Sequence, residues 1–196
     1  MYVFGNGESR TSININNINY PTVGCNAIVR DYPVDYLVCA DKRMVTEAIG
    51  RNYKNPIFTR NDWIRLFREA ANVKVVPPLP YTGTERWDEP FQWGSGSYAV
   101  LVGAIYTKTN TVGLIGFDLH SKTNTVNNIY KGTSNYIDAD KRAVDPRYWI
   151  HQIGMVFKSF PKIQFTIYQD DWKLPKAWNC PNVMVDTISN IRYNKV

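Results

Sequence analysis

The chain has 196 residues and a formal net charge of +6, and 44% of its residues are hydrophobic while 20% are charged. This balance excludes an intrinsically disordered chain and is typical of one globular domain, which we expect to span residues 1–196. The basic residues are scattered and form no run, so the charge indicates a mild preference for anionic ligands and does not indicate nucleic-acid binding.

The cysteine content and the apolar segments point to a soluble protein. The three cysteines, Cys25, Cys39 and Cys180, do not have the spacing of metal ligands, and an odd number is typical of a reducing compartment. No apolar run reaches the length of a transmembrane helix, and the start of the chain lacks the pattern of a secretory signal. We therefore expect a cytoplasmic protein with no membrane partner, no metal and no obligatory cofactor.

An apolar stretch at the start of the chain runs directly into Gly5-Asn6-Gly7. This order is typical of a buried first strand that ends in a tight loop at the edge of an α/β sheet where ligands bind. The alternative is a strand followed by an ordinary turn. The next segment, residues 11–19, alternates isoleucines with polar residues and predicts either a short edge strand or an ordered loop.

Two further apolar runs, at residues 20–29 and 35–40, carry the polar residues Asn26 and Asp41 near or just after their ends. A helix is predicted directly after the second run, at residues 42–51. If the three strands are parallel neighbours, Asn6, Asn26 and Asp41 converge on one edge of the sheet.

The middle of the chain predicts a fourth strand at residues 56–59, a helix at 61–70 and a fifth strand at 73–76. The helix is expected to be capped by Asn61 or Asp62. A passage rich in proline and aromatic residues follows at 77–93. It is too long for a simple turn, and loops of this length are often functional.

A second informative stretch is Gly94-Ser95-Gly96-Ser97-Tyr98, which precedes a helix of small residues at 99–105. Ser95 and the free amides at the start of this helix predict an anion or phosphate site. The alternative is that the glycines only allow the helix to pack closely on the sheet. A buried strand at 112–118 then ends in Gly116-Phe117-Asp118.

The last third begins with a polar, strand-poor segment at residues 119–147, which we interpret as a lid. Asp145-Pro146 predicts the start of a helix that continues through 148–160, and strands are predicted at 164–168 and 183–185. Because strands alternate with helices, we predict an α/β fold with a doubly wound, mostly parallel Rossmann-like sheet and helices on both faces.

Four short blocks, taken in order, resemble the family 42 glycosyltransferases (the bacterial sialyltransferases) and the related MptE-like Rossmann domains. The blocks are GNGES at residues 5–9, GCN at 24–26, GSGSY at 94–98 and IGFD at 115–118. That family has a GNGPS loop, an RCN strand end, a helix starting with TSG and a GIDF strand end in the same order. The asparagine-rich composition also resembles that of bacteriophage proteins, which implies a host-cell cytoplasmic or virion location.

The resemblance implies a nucleotide-sugar donor of the CMP type, bound at the carboxyl edge of the sheet without an obligatory metal. Asp41 departs from the family, which has an asparagine at that position. The positions that match or neighbour the family's nucleotide-binding residues are Asn6, Gly7, Ser9, Asn26, Asp41, Ser95, Gly96, Gly116 and Asp118.

The resemblance also implies inverting transfer, with a lid histidine as general base and lid tyrosines that hydrogen-bond the leaving phosphate. The segment from Arg147 to His151 can be aligned with the family's HYIGH motif, which makes His151 the candidate base, with His120 as the second candidate. Tyr130 and Tyr136 are the candidate lid tyrosines. The alternative for His151 is a structural position within a helix.

A second hypothesis from a different class is a catalytically inactive phage accessory or virion-assembly protein with the same fold. Such a protein acts through protein–protein contacts, as a homo-oligomer or with a phage partner. Aromatic-rich segments at residues 81–93 and 172–178 would suit an interface.

Overall fold

The computed structural model describes residues 1–121, 123–170 and 173–193. Trp172, which belongs to one of the aromatic-rich segments, lies outside these residues. The described strands are β1 (Tyr2–Phe4), β2 (Thr22–Cys25), β3 (Tyr36–Val38), β4 (Ile57–Thr59), β5 (Val73–Val75), β6 (Thr111–Ile115), β7 (Gln164–Tyr168) and β8 (Val183–Asp186). The α-helices are α1 (Lys42–Gly50), α2 (Ser95–Tyr106) and α3 (Arg147–Ser159).

The strands form one sheet in the order β5-β4-β3-β2-β1-β6-β7-β8, and every neighbouring pair is parallel. The chain therefore builds outward from β1 to β5, crosses back, and builds in the other direction from β6 to β8. This confirms the predicted doubly wound α/β sheet. In such sheets the crevice for a ligand lies outside the carboxyl ends of the two strands where the order reverses, here β1 and β6.

Helices cover both faces of the sheet, as predicted. Neighbouring side chains of β1 point to opposite faces: Val3 packs in the core under α2 and α3, and Phe4 packs in the core under α1. The small residues of α2 let it lie close to the sheet, since a Cβ on Gly103 would be 2.5 Å from a methyl group of Val3.

The predicted helix at residues 61–70 is wrong. Only a short 3-10 helix, Ile64–Phe67, forms there, and none of its residues is buried. Leu66 is 61% exposed, so the segment lacks the buried stripe that stabilises an amphipathic helix. Asp62 does not cap it but accepts a hydrogen bond from Arg60 Nε at 2.9 Å.

Two other boundaries differ from the prediction. The strand expected at residues 20–29 ends at Cys25, and a 3-10 helix, Asn26–Arg30, follows it. Helix α2 begins at Ser95, a full turn earlier than predicted, so its serines lie in the first turn. Of the two alternatives for residues 11–19, the ordered loop is confirmed, because Ile13, Ile15 and Ile18 are buried around 3-10 turns.

The lid lies between β6 and α3. Its described part contains one antiparallel bridge, between Thr125 and Arg142. The Ile129 amide donates to the Asn6 carbonyl oxygen at 2.9 Å, which ties the lid to the loop after β1. No helix among the described residues is long and apolar enough to cross a membrane.

Candidate functional site

A cavity of about 360 Å³ lies at the carboxyl edge of the sheet, beside the reversal between β1 and β6. Its volume is within the range of small-molecule sites, which starts at about 300 Å³. The loops after β1, β2 and β6, the start of α2, one face of α3 and the lid line it. The structure brings these sequence-predicted residues together there: Asn6, Gly7, Asn26, Ser95, Gly96, Gly116, Asp118 and His120.

The floor of the cavity is formed by the direct contact of two strand ends. The Gly5 amide donates to the Ile115 carbonyl oxygen at 2.8 Å, and the Gly7 amide donates to that of Gly116 at 2.9 Å. A Cβ on Gly5 would lie only 2.3 Å from the Gly116 carbonyl oxygen. Gly116 itself has a φ of +75°, a conformation that favours glycine.

The Asp118 carboxylate is buried beside this floor and is held by the loop after β1. The Ser9 amide donates to Asp118 Oδ2 at 3.0 Å, and the Ser9 hydroxyl donates to Oδ1 of the same carboxylate. A Cβ on Gly7 would lie 2.5 Å from the carboxyl carbon of Asp118, so this position also needs a glycine. Ser9 therefore orients Asp118 and does not itself line the cavity.

Asn26 and Ser95 belong to one chain of hydrogen bonds. The Ala40 amide donates to Ser95 Oγ at 2.8 Å, and the Ser95 hydroxyl donates to Asn26 Oδ1 at 2.7 Å. Asn26 has a φ of 53°, in the left-handed region that asparagine adopts more readily than most residues. Its side-chain nitrogen has no hydrogen-bond partner among the described residues, although Asn26 lines the cavity.

The start of α2 has hydrogen-bonding capacity that the protein does not use. Gly94 is the N-cap, and no side chain caps the helix. The amides of Ser95, Gly96 and Ser97 find no acceptor in the described part of the chain. Ser97 lines the cavity, and its buried hydroxyl has no hydrogen-bond partner among the described residues. Because a helix start carries a partial positive charge, this corner suits an anionic oxygen.

The glycines before and within this turn also allow close packing, which was the other reading of the sequence. A Cβ on Gly94 would lie 3.0 Å from the indole nitrogen of Trp149, which is tighter than most real contacts. A Cβ on Gly96 would make only an ordinary contact with Phe117, at 3.6 Å. Close packing therefore accounts for Gly94 but leaves the unpartnered Ser97 hydroxyl unexplained.

Asn6 lines the cavity, but its side chain is engaged by the protein. Its side-chain nitrogen donates to the Cys25 carbonyl oxygen and to the Tyr136 hydroxyl, both at 3.2 Å. Its side-chain oxygen accepts from Arg10 at 3.4 Å. Asn6 thus connects the loop after β1 to the end of β2 and to the lid.

Neither candidate lid tyrosine lines the cavity. The Tyr130 hydroxyl donates to the Asp31 carboxylate at 2.5 Å and accepts from Arg10 at 2.9 Å. The Tyr136 hydroxyl accepts from Asn6 and, at 3.4 Å, from the Ala27 amide. Burial raises the pKa of both phenols above the ordinary value. The two side chains anchor the lid to the body of the protein.

The two histidines are in different environments. His120 lines the cavity, with Nδ1 2.5 Å from the Asp118 carbonyl oxygen. His151 does not line the cavity, whereas Trp149 and Ile153 of α3 do. Side chains four residues apart share one face of a helix, and His151, midway between these two, lies on another face. The structure therefore separates His151 from the cavity residues with which the sequence grouped it.

His151 instead holds the loop before α2. Its Nε2 lies 2.6 Å from Asp88 Oδ1, and the Tyr81 hydroxyl donates to the same oxygen at 2.9 Å. Burial alone raises the pKa of the Asp88 carboxyl, but hydrogen bonds from His151, the Glu85 amide and Tyr81 outweigh it and keep the pKa below its ordinary value. This is the structural position that was the alternative for His151.

Asp41 also lies outside the cavity. Its Oδ1 caps α1 by accepting from the Arg43 amide at 2.9 Å, and its carboxylate pairs with the Arg43 guanidinium at 2.5 Å. The hydrogen bonds from Arg43 lower the pKa of Asp41. Because the helix follows β3 at once, the side chain is used as a cap and does not converge with Asn6 and Asn26.

Several residues that line the cavity were not predicted. Ser97 belongs to the same glycine–serine block as Ser95, and its place in the first helical turn was the available signal. Trp149 and Ile153 are four residues apart, but the sequence does not tell which face of α3 meets a cavity. No Lys or Arg side chain of the described chain lines this cavity. The described residues also contain no cluster of three or more His, Cys, Asp or Glu side chains able to hold a metal.

Comparisons of the chain with protein-family models, with curated proteins and with solved structures found no match. The basis for a function is therefore the fold and the chemistry of the cavity.

Proposed function

We propose that the chain binds a nucleotide-type ligand in the cavity, with a phosphate group at the start of α2. The observation that carries the proposal is the fully buried and unpartnered Ser97 hydroxyl, next to three amides that have no acceptor in the described chain. A buried hydroxyl without a hydrogen-bond partner costs about 1–3 kcal/mol. A ligand oxygen that bonds to this hydroxyl removes that cost, which favours binding.

The other walls of the cavity suit the remainder of such a ligand. Trp149, Val126 and Ile153 provide apolar surface for a base, and the Asn26 side-chain nitrogen provides a donor near the phosphate corner. The location beside the reversal of strand order is where open α/β sheets bind ligands.

The resemblance to family 42 glycosyltransferases makes a CMP-type nucleotide sugar the first donor to test and inverting glycosyl transfer the reaction. We assign the general base to His120, because it lines the cavity while His151 is bonded to Asp88. A histidine at the cavity suits proton transfer near neutral pH. The alternative, an inactive phage accessory or assembly protein, differs in that it predicts no donor hydrolysis.

Calorimetry with CMP, CDP, UDP and GDP tests the binding step. We expect Ser97→Ala to weaken binding about tenfold, because one hydrogen bond to a charged oxygen is worth about 1.5 kcal/mol. Its unfolding free energy should not fall, because the variant removes a buried hydroxyl that has no partner among the described residues. Ser12→Ala, at an exposed serine, is the matched control and should bind normally. Absence of binding across the panel would refute the proposal.

Donor hydrolysis tests the chemical step. With CMP-activated sugar, His120→Ala should abolish turnover while nucleotide affinity persists. His151→Ala should retain turnover. Nucleotide binding without hydrolysis in the wild-type protein would favour the inactive alternative.

A further inference from the structure

A second concave surface lies on the other side of the lid, between α1 and lid residues 133–135. This basic groove has a volume of about 770 Å³ and, among the described residues, shares no lining residue with the cavity. Its charged lining residues are Arg30, Lys42, Arg43, Arg51 and Glu47. Its remaining lining residues are hydroxyl or amide side chains of α1 and the lid.

The carboxylates near the groove neutralise only part of its positive charge. Glu47 accepts from Arg30 at 2.5 Å and from Arg51 at 3.2 Å, and Asp41 pairs with Arg43. Lys42 has no carboxylate partner in the described chain; its ammonium group lies 5.1 Å from the centre of the Trp63 ring. Four cations thus share two carboxylates, which leaves an excess of two positive charges.

The cations are arranged at two depths. The side chains of Arg30 and Glu47 are only 13% and 15% exposed and form the floor, while those of Arg43 and Arg51 are 61% and 47% exposed at the rim. Lysine and arginine side chains are donors only. The forks of Arg30 and Arg43 are bonded to Glu47 and Asp41, so the Lys42 ammonium and the remaining arginine N–H groups are the donors available to phosphate oxygens. The groove is therefore built to receive an acceptor-rich, multiply charged ligand.

We propose that the basic groove binds a polyphosphate group, meaning two or more linked phosphates. The cations are spread over the segment after β2 and the length of α1, about 13 Å along the helix axis from Lys42 to Arg51, and this span suits linked phosphates better than a single phosphate. The proposal does not rest on nucleotide binding in the cavity, because the two surfaces have no lining residue in common.

Such a ligand would also secure the lid. Arg30 donates to the Thr133 hydroxyl and to the Ser134 carbonyl oxygen, both at 2.7 Å. The same lid segment continues to Tyr136, whose hydroxyl contacts Asn6 at the cavity. A polyphosphate held by α1 and lying against residues 133–135 therefore reduces opening of the lid.

The test is calorimetry of the full chain with tripolyphosphate, ATP and inorganic phosphate. The double variant Lys42→Ala/Arg43→Ala should bind tripolyphosphate about tenfold more weakly. The control variant Arg65→Ala/Arg68→Ala removes the same charge from exposed positions outside the groove and should bind within about twofold of wild type. Circular dichroism should show that both variants are folded.

The three ligands distinguish free polyphosphate from the phosphate chain of a nucleotide, and the variants distinguish the basic groove from the cavity. Equal losses for tripolyphosphate and ATP in the groove variant support recognition of the polyphosphate itself. Binding of ATP without binding of tripolyphosphate would overturn the proposal, as would equal losses in both double variants. Loss of tripolyphosphate binding in Ser97→Ala would also overturn it, because the ligand would then be in the cavity. Bound tripolyphosphate should slow proteolysis within the lid.

Discussion

Replacing Gly5 by alanine tests the contact between β1 and β6 on which the cavity is built. The new Cβ would lie 2.3 Å from the Gly116 carbonyl oxygen, whereas real Cβ atoms essentially never approach closer than 3.0 Å, so the two strand ends have to separate by about 0.7 Å. The neighbouring atom belongs to the backbone and cannot rotate away as a side chain would. The hydrogen bonds from Gly5 to Ile115 and from Gly7 to Gly116 span this gap and will be stretched or lost.

The expected cost follows from these two effects. Overpacking of a close contact costs about 1–3 kcal/mol, and each weakened backbone hydrogen bond costs up to about 1 kcal/mol. We therefore expect Gly5→Ala to lower the free energy of unfolding by about 2–4 kcal/mol. For a chain of this length, that corresponds to a melting temperature lower by about 10 °C. Nucleotide affinity should also fall, because the floor of the cavity moves.

Urea denaturation of Gly5→Ala beside Gly50→Ala provides the measurement and its control. Gly50 is the last residue of α1, and a Cβ there would meet nothing within 4 Å. Alanine is a better helix former than glycine, so Gly50→Ala should be neutral or more stable by up to about 1 kcal/mol. Equal stability of the two variants would refute the close contact of the strand ends.

Two further predictions concern the residues around the cavity. His151→Ala removes a donor from the buried Asp88 carboxylate and should lower the free energy of unfolding, measured by urea denaturation, by about 1–3 kcal/mol. Nucleotide affinity measured by calorimetry should stay unchanged. A large loss of affinity would contradict the structural role of His151. Hydrogen bonds from Arg30 lower the pKa of Glu47 from 4.5 to about 2, so its stabilising contribution is complete above pH 4.5 and is lost as the pH falls towards 2. Arg30→Gln should flatten this part of the pH dependence of the urea midpoint, and an unchanged slope would refute the assignment to this ion pair.

The strands were predictable because their signal is local. Each is a short apolar run bounded by turn residues, and all eight strands of the described chain fall within or overlap predicted segments. The helix expected at residues 61–70 was not recoverable in this way, because its apolar spacing does not reveal that Leu66 stays exposed. The periodicity shows which side chains would share a face of a helix, whereas burial of that face determines whether the helix is stable.

The candidate site was predictable where a residue's position follows from its strand. Asn6, Asn26 and Asp118 follow β1, β2 and β6, and parallel strands deliver such residues to one edge. The roles of Ser9 and His151 depend on partners 109 and 63 residues away in the chain. Such contacts leave no periodic signal in a single sequence. A residue can therefore match a family motif and still have a structural role, through hydrogen bonds to other parts of the chain.

The polar groups of the cavity that make no hydrogen bond within the described chain indicate what the cavity can bind. Asn6 and Ser9 are engaged with the protein, and the Ser95 hydroxyl already accepts and donates. Within the part of the chain that the structure describes, the polar groups without a partner are the Ser97 hydroxyl, the first amides of α2 and the Asn26 side-chain nitrogen. The amides and the side-chain nitrogen can only donate, and the hydroxyl can also donate. A group bound in this corner therefore has to present acceptors. Because no basic side chain of the described chain lines the cavity, the partial positive charge at the start of α2 is the main attraction for an anion. Phosphate meets both conditions, whereas a sugar hydroxyl brings a donor of its own and no charge.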